Sequence, residues 1–172
     1  MRFDAMAGKN GGRGMTIALG ADPGGYELKV EVKKYLVRKG HDVLDLGTQD
    51  AEHPVWYMDV GRNVAKAVAS GKVERGVVIC ATGMGISIAT NKNIGARCAF
   101  VESYWAARES RIVNDANIIA IGGTTTSLRM ACEMIDVFLD TEFAHGVTPE
   151  RRTRLESGAA KWLPYESEVF KS

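Results

Sequence analysis

From Met15 onward, short runs of apolar, largely β-branched residues alternate with longer mixed stretches in which apolar side chains recur every three to four positions. Unbroken apolar runs of four to six residues read as strands and a 3.6-residue period reads as a helix, so the alternation predicts successive βα units and a parallel sheet. Five units are expected. The first pairs a strand at 16–21 with a helix from about 25 to 39, where Leu28, Val32, Tyr35 and Leu36 share one face and Gly40 stops the helix. The second pairs a strand at 43–46 with a helix near 58–70 that turns Val60, Val64, Ala67 and Val68 inward, after a polar loop containing Pro54. Residues 77–80 are apolar throughout, as a central strand requires, and lead into a short helix at about 86–92. Strands at 97–101 and 118–121 complete the set, with helices at 103–113 and 127–139. The pattern predicts one α/β fold built on a five-stranded parallel sheet.

The ends differ from this middle. Residues 1–14 hold four glycines, net positive charge and no periodicity, and are expected to be a flexible leader. The domain is expected at 15–141. Residues 142–172 are polar and mixed, with Arg151, Arg152 and Arg154 together and Trp162, Tyr165 and Phe170 near the end. They read as a C-terminal arm that packs on a neighbouring subunit or on the domain's own surface.

Composition narrows the function. A chain of 172 residues fits one domain and leaves little room for separate cofactor and substrate lobes. A formal charge of +1 provides no field to attract nucleic acid or an anionic membrane, so any anionic ligand must be held by local groups. No apolar run reaches 18 residues and the first residues lack the apolar stretch of a signal peptide, which predicts a cytoplasmic protein without a membrane segment. Cys80, Cys98 and Cys132 cannot all pair and none stands in a CxxC spacing, which argues against a disulfide framework and a zinc ribbon. His41, His53 and His145 fall in three separate loops, and no metal site is predicted.

In parallel sheets, ligands bind beyond the carboxyl ends of the strands, which directs attention to the loops after strands one and three. The first, GADPGG, is not the GxGxxG of dinucleotide sites, and of the acidic residues only Asp45 ends a second strand in the ribose-binding manner. Asp22 reads either as the N-cap of the next helix or as a ligand contact. The second loop is Cys80-Ala81-Thr82-Gly83-Met84-Gly85. A thiol ending a buried strand ahead of a helix can be a base or nucleophile, or simply a small core residue. Thr82, Gly83 and Gly85 suggest an anion cradle. Cys98 and Cys132 read as packing, residues 114–117 as turn formers, and the arginine cluster as a solvated face from which one guanidinium reaches an anion.

Taken together, GADPGGYELK, VLDLGT, GVVICATGMGISIATNK, GARCAFV and NDANIIAIGG, in this order and spacing, resemble the ribose-5-phosphate isomerase B and galactose-6-phosphate isomerase family over about residues 15–152. The resemblance implies a Rossmann-like three-layer sandwich and a homodimer or dimer of dimers with active sites shared between subunits. It also implies aldose–ketose isomerisation of a small sugar phosphate through a cis-enediolate, without metal or organic cofactor. Cys80 is then the base that moves a proton between C1 and C2, with Thr82 assisting near the oxygens. Asp22 and Asn114 contact the sugar, Arg151 or Arg152 binds its phosphate, and the amides of Gly83 and Gly85 steady the enediolate oxygen.

Three positions depart from the family pattern. Pro23 stands where a histidine is usual, Val113 where a ring-opening histidine is usual, and His145-Gly146-Val147-Thr148 replaces Gly-Gly-Arg-His, so that Val147 removes an arginine. These departures fit an isomerase for a substrate that needs no ring opening, such as a tetrose phosphate. They also fit the cysteine-bearing subunit of a heteromeric isomerase, or a non-catalytic sugar-phosphate binder.

Overall fold

The computed structural model describes residues 14–170, so all but the last residue of the leader expected at 1–14 lies outside the described residues. Five strands, β1 (Thr16–Ala21), β2 (Asp42–Asp45), β3 (Arg75–Cys80), β4 (Cys98–Phe100) and β5 (Ile118–Gly122), form one sheet in the order β2-β1-β3-β5-β4. Every pairing is parallel, with Ala21 opposite Ile79 and Cys80 opposite Gly122 at the carboxyl ends.

Between the strands run α1 (Tyr26–Arg38), α2 (Tyr57–Ala69), α3 (Met84–Thr90) and α4 (Tyr104–Asn114); α5 (Leu128–Asp140), α6 (Pro149–Ala159) and α7 (Trp162–Val169) follow the last strand. Right-handed crossovers decide which face each helix covers. Connections that step toward β2, or from β4 back to β5, place α1 and α4 on one face. Those that step the other way place α2 and α3 opposite. The two cores follow: Leu28, Val32, Leu36, Ala107, Ile135 and Phe138 pack with Ile17, Leu19, Val77, Ile79 and Ile121, whereas Val60, Val64, Val68 and Ile86 pack with Ala18, Val78, Cys80 and Ala120. Alternation along β3 sends Val77 and Ile79 to the first core and Cys80 to the second.

Some boundaries differ from the expected ones. β3 begins at Arg75 because Arg75 and Gly76 pair with Ile17 and Ala18. β4 is only three residues long at the sheet edge. α3 starts at Met84, straight after Gly83, and its C-terminal end is fixed by Asn91, whose side chain donates to Cys98 O and accepts from Cys98 N, both at 2.8 Å. Cys132 is half-buried rather than core. Residues 149–169 of the expected arm form α6 and α7; Glu166 on α7 is buried and accepts from Gly95 N at 2.8 Å, which holds this helix on the domain's own surface. Among the described residues no helix is long and apolar enough to cross a membrane.

Asp45 is paired within the chain. Its carboxylate is held by Lys29 Nζ at 2.9 and 3.0 Å and by Lys33 Nζ at 3.1 Å, and Lys29, 1% exposed, also donates to Thr48 O. This buried pair ties the first turns of α1 to the loop after β2.

Candidate active site

The strand order reverses at β1 and β3, since the chain leaves β1 for β2 on one side and then returns to place β3 on the other. At such a switch point the connections diverge and leave a crevice at the carboxyl ends. Asp22 follows β1 there and Cys80 ends β3, and the first loop lies against the end of that strand: Asp22 N donates to Ile79 O at 3.2 Å.

The turn after Cys80 is set by Gly83, whose φ of +77° belongs to the left-handed region that glycine tolerates best. That turn brings Gly83 N–H back onto Cys80 Sγ at 3.2 Å. The sulfur is 6% exposed as part of its residue, so its amide donor is worth more than it would be in water. The Gly83 amide is therefore turned to the thiol and not outward as an oxyanion donor. Thr82 is exposed and its Oγ1 accepts weakly from Met84 N at 3.4 Å. Gly85 opens toward Tyr57, whose ring lies against it; a Cβ built there would sit 3.3 Å from Tyr57 Cε2.

Asp22 caps the turn that leads into α1, with Oδ1 accepting from Gly25 N at 3.1 Å. Burial pushes its carboxyl above the usual carboxylate range, opposed by the amides of Gly25 and Gly24. A third loop, after β5, closes the cluster. Gly123 N donates to Cys80 O at 2.7 Å, and Thr124 N and Oγ1 both donate to Ala81 O at 3.0 and 2.7 Å. Only a residue without a side chain fits at Gly123, where a Cβ would stand 2.9 Å from Gly24 O.

Asp22, Cys80, Thr82, Gly83 and Gly85 are thus brought together. Asn114, Arg151 and Arg152 are not with them. Asn114 ends α4 ahead of β5, at the amino end of the sheet, where Asn117 O accepts from Gly76 N. Gly76 and Cys80 lie four positions apart on β3, a rise of about 13 Å. Arg152 belongs to the Asn114 group: it donates to Ala144 O at 3.0 Å, and Ala144 N donates to Ile112 O at 3.1 Å in the last turn of α4. Arg151 is exposed beside it on α6. The turn that follows Asn114 is rigid, because Asp115 sits between Arg97, at 2.9 Å, and the buried Arg111, at 2.7 Å. The candidate residues of one chain therefore fall into two groups at opposite ends of its sheet.

Thr124 and Lys29 have only faint signs in the sequence. The run Gly122-Gly123-Thr124-Thr125 after an apolar strand was the legible sign of the first. For Lys29 the sequence offers only a lysine on the apolar side of a helix, which more often snorkels to solvent than stays buried.

Comparison with known proteins agrees with this architecture. The sequence profile of the Ribose/Galactose Isomerase family matches residues 17–155. The 4-deoxy-4-sulfo-D-erythrose isomerase of Clostridium sp. (strain MSTE9) is 37% identical over 157 residues, covering 91% of this chain and 99% of that protein. The D-erythrulose-4-phosphate isomerase of Pectobacterium atrosepticum is 37% identical over 133 residues, 77% of this chain and 87% of its own. The solved structure of Clostridium thermocellum ribose-5-phosphate isomerase B superposes with a TM-score of 0.77 at 43% identity, over 88% of this chain and 99% of that one. Together with the parallel sheet and its cysteine loop, these matches place the chain in the ribose/galactose isomerase family, as an aldose–ketose isomerase with the Rossmann-like fold of ribose-5-phosphate isomerase B.

Proposed function

We propose that this enzyme interconverts the aldose and ketose forms of a four-carbon sugar bearing an acidic group, phosphate or sulfonate, at C4, with Cys80 as the base. The observation that carries the chemistry is the placement of Cys80 Sγ at the end of β3 with an amide donor on it at 3.2 Å. The thiolate removes the C2 proton of the aldose. The C–H electrons move to form the C1–C2 double bond and those of the carbonyl settle on O1. A proton passes from O2 to O1, the thiol returns its proton to C1, and the carbonyl forms at C2. Thr82 and the Gly85 amide are the groups that accompany the oxygens, and Asp22 holds the sugar. A base of this kind contributes about 10² to 10⁴ in rate.

The substrate class follows from the residues that are missing. Val113 and Pro23 have no imidazole with which to open a sugar ring. A tetrose whose C4 oxygen is esterified, or replaced by a sulfonate, cannot close a furanose, so it needs no such group. Similarity along 99% of a sulfoerythrose isomerase supports this reading.

The working unit is a dimer of this chain in which the Cys80 half-site of one copy meets the Asn114, Arg151 and Arg152 half-site of the other. Exposed Met58, Met84 and Ile88 beside the cysteine loop offer apolar surface for that contact. Proton NMR in D2O tests the function, with erythrose 4-phosphate, 4-deoxy-4-sulfoerythrose and ribose 5-phosphate as probes. Cys80-dependent exchange at C2 with a four-carbon probe is expected. Exchange only with ribose 5-phosphate would overturn the substrate class, and exchange that survives Cys80→Ala would overturn the base. A pure chain inactive on all three, but active once a second, different chain is added, would make it one subunit of a heteromeric isomerase.

A further inference from the structure

The β3–β5 ladder ends where Cys80 faces Gly122. Beyond that point nothing in sheet geometry holds the Ala81 peptide, yet the thiol and the Thr82 hydroxyl flank it and depend on its orientation. The loop after β5 supplies what the ladder does not. Gly123 N donates to Cys80 O at 2.7 Å, and Ala81 O receives two donors from Thr124, the backbone N at 3.0 Å and Oγ1 at 2.7 Å. Both lone pairs of that carbonyl are used. On its other side Ala81 is against Gly24, where a Cβ would come within 2.9 Å of the Ala81 Cβ. The peptide that joins the two reactive side chains is therefore held from both sides.

We infer that Thr124 is a positioning residue for the isomerisation: its hydroxyl, through the Ala81 carbonyl, fixes the direction of Cys80 Sγ and Thr82 Oγ1 toward the carbons between which the proton moves. The hydroxyls of Thr125 and Ser127 have other partners. Thr125 Oγ1 lies 3.5 Å from Gly122 O, and Ser127 Oγ caps α5 by accepting from Met130 N at 3.3 Å. Thr124 is the one that reaches across to the cysteine loop. A displacement of about 1 Å at a reacting group lowers rates by up to about 10²-fold, so the loss of one of two donors belongs in kcat. Thr124 is exposed and sits in a loop, so its hydroxyl contributes little to the core.

This inference rests on Cys80 being the base, and the test separates the two. Thr124→Val keeps the shape and the backbone donor but lacks the hydroxyl; Thr124→Ser restores it. With erythrose 4-phosphate as the probe, Thr124→Val is expected to lower kcat about 10-fold with KM within about two-fold, and Thr124→Ser to recover most of the loss. Alkylation of Cys80 by iodoacetamide, followed by mass spectrometry, needs no substrate; its rate is expected to change at least about three-fold in Thr124→Val and to return in Thr124→Ser. Wild-type kcat and alkylation rate in Thr124→Val would overturn the inference, as would a loss that serine does not repair. Thr124→Ala serves the same test if the valine variant fails to fold. Activity retained by Cys80→Ala would instead overturn the base assignment.

Discussion

Gly83 N–H and Cys80 Sγ lie 3.2 Å apart across a turn that depends on Gly83 holding φ at +77°. The residue that shapes the loop is also the hydrogen-bond donor to the sulfur of the proposed base, so backbone geometry and the candidate chemistry are coupled at one glycine.

Gly83→Ala is expected to cost stability and activity together. The left-handed conformation is strained with a side chain, and the added Cβ would meet Phe100 Cε2 at 2.7 Å and Gly122 N at 2.9 Å. A loss of about 1–3 kcal/mol is expected by urea unfolding. An alanine variant as stable and as active as the wild type would show that the turn is not held as described.

Cys80→Ala removes one sulfur from a buried position and should leave the fold intact. Exchange at C2, followed by NMR in D2O, is expected to fall by about 10² to 10⁴, with circular dichroism unchanged.

The proposed dimer predicts complementation. Cys80→Ala and Asn114→Ala are each expected to be inactive as pure proteins. Unfolded together and refolded as a 1:1 mixture, half of the dimers would be mixed, and each mixed dimer would hold one intact site out of two, so activity should return to about a quarter of wild type. No recovery despite demonstrated exchange of subunits would mean that both residues serve a site within one chain.

The Lys29–Asp45 pair is expected to dominate the acid sensitivity of the loop after β2. Burial pushes the Asp45 carboxyl up, but hydrogen bonds from Lys29 and Lys33 outweigh it and leave it below the usual carboxylate range. Because the folded value is depressed, the pair's contribution is present above the ordinary carboxylate value of about 3.9 and is lost as pH falls through the lower folded one. Lys29→Met leaves the Asp45 carboxylate, only 9% exposed, with Lys33 as its remaining cationic partner and should destabilise by about 1–3 kcal/mol at neutral pH. Thermal melts of Lys29→Met and the double variant Lys29→Met/Asp45→Leu provide the check, with partial recovery expected in the second.

The alternation of apolar runs with 3.6-residue patterns was enough to determine five βα units and a parallel sheet, because strand and helix periods are local properties written into neighbouring residues. The GADPGG and CATGMG segments were legible for a similar reason: a glycine-rich loop directly after a buried strand has few other uses. Motif order likewise points to the family, because the motifs are local and their spacing is written in the chain. What the sequence could not determine was how these pieces meet. Which core Cys80 faces is decided by the register of β3 against β1 and β5, and its amide partner by the turn at Gly83. The clamp of Thr124 on Ala81 joins residues 43 positions apart, and the burial of Lys29 depends on Asp45 arriving from another strand. The division of Asn114, Arg151 and Arg152 from the cysteine loop likewise follows from helices that run the length of the sheet and return the chain to its opposite end. Each of these is a relation between segments distant in sequence, and only the packed fold brings such segments within hydrogen-bonding reach or holds them apart.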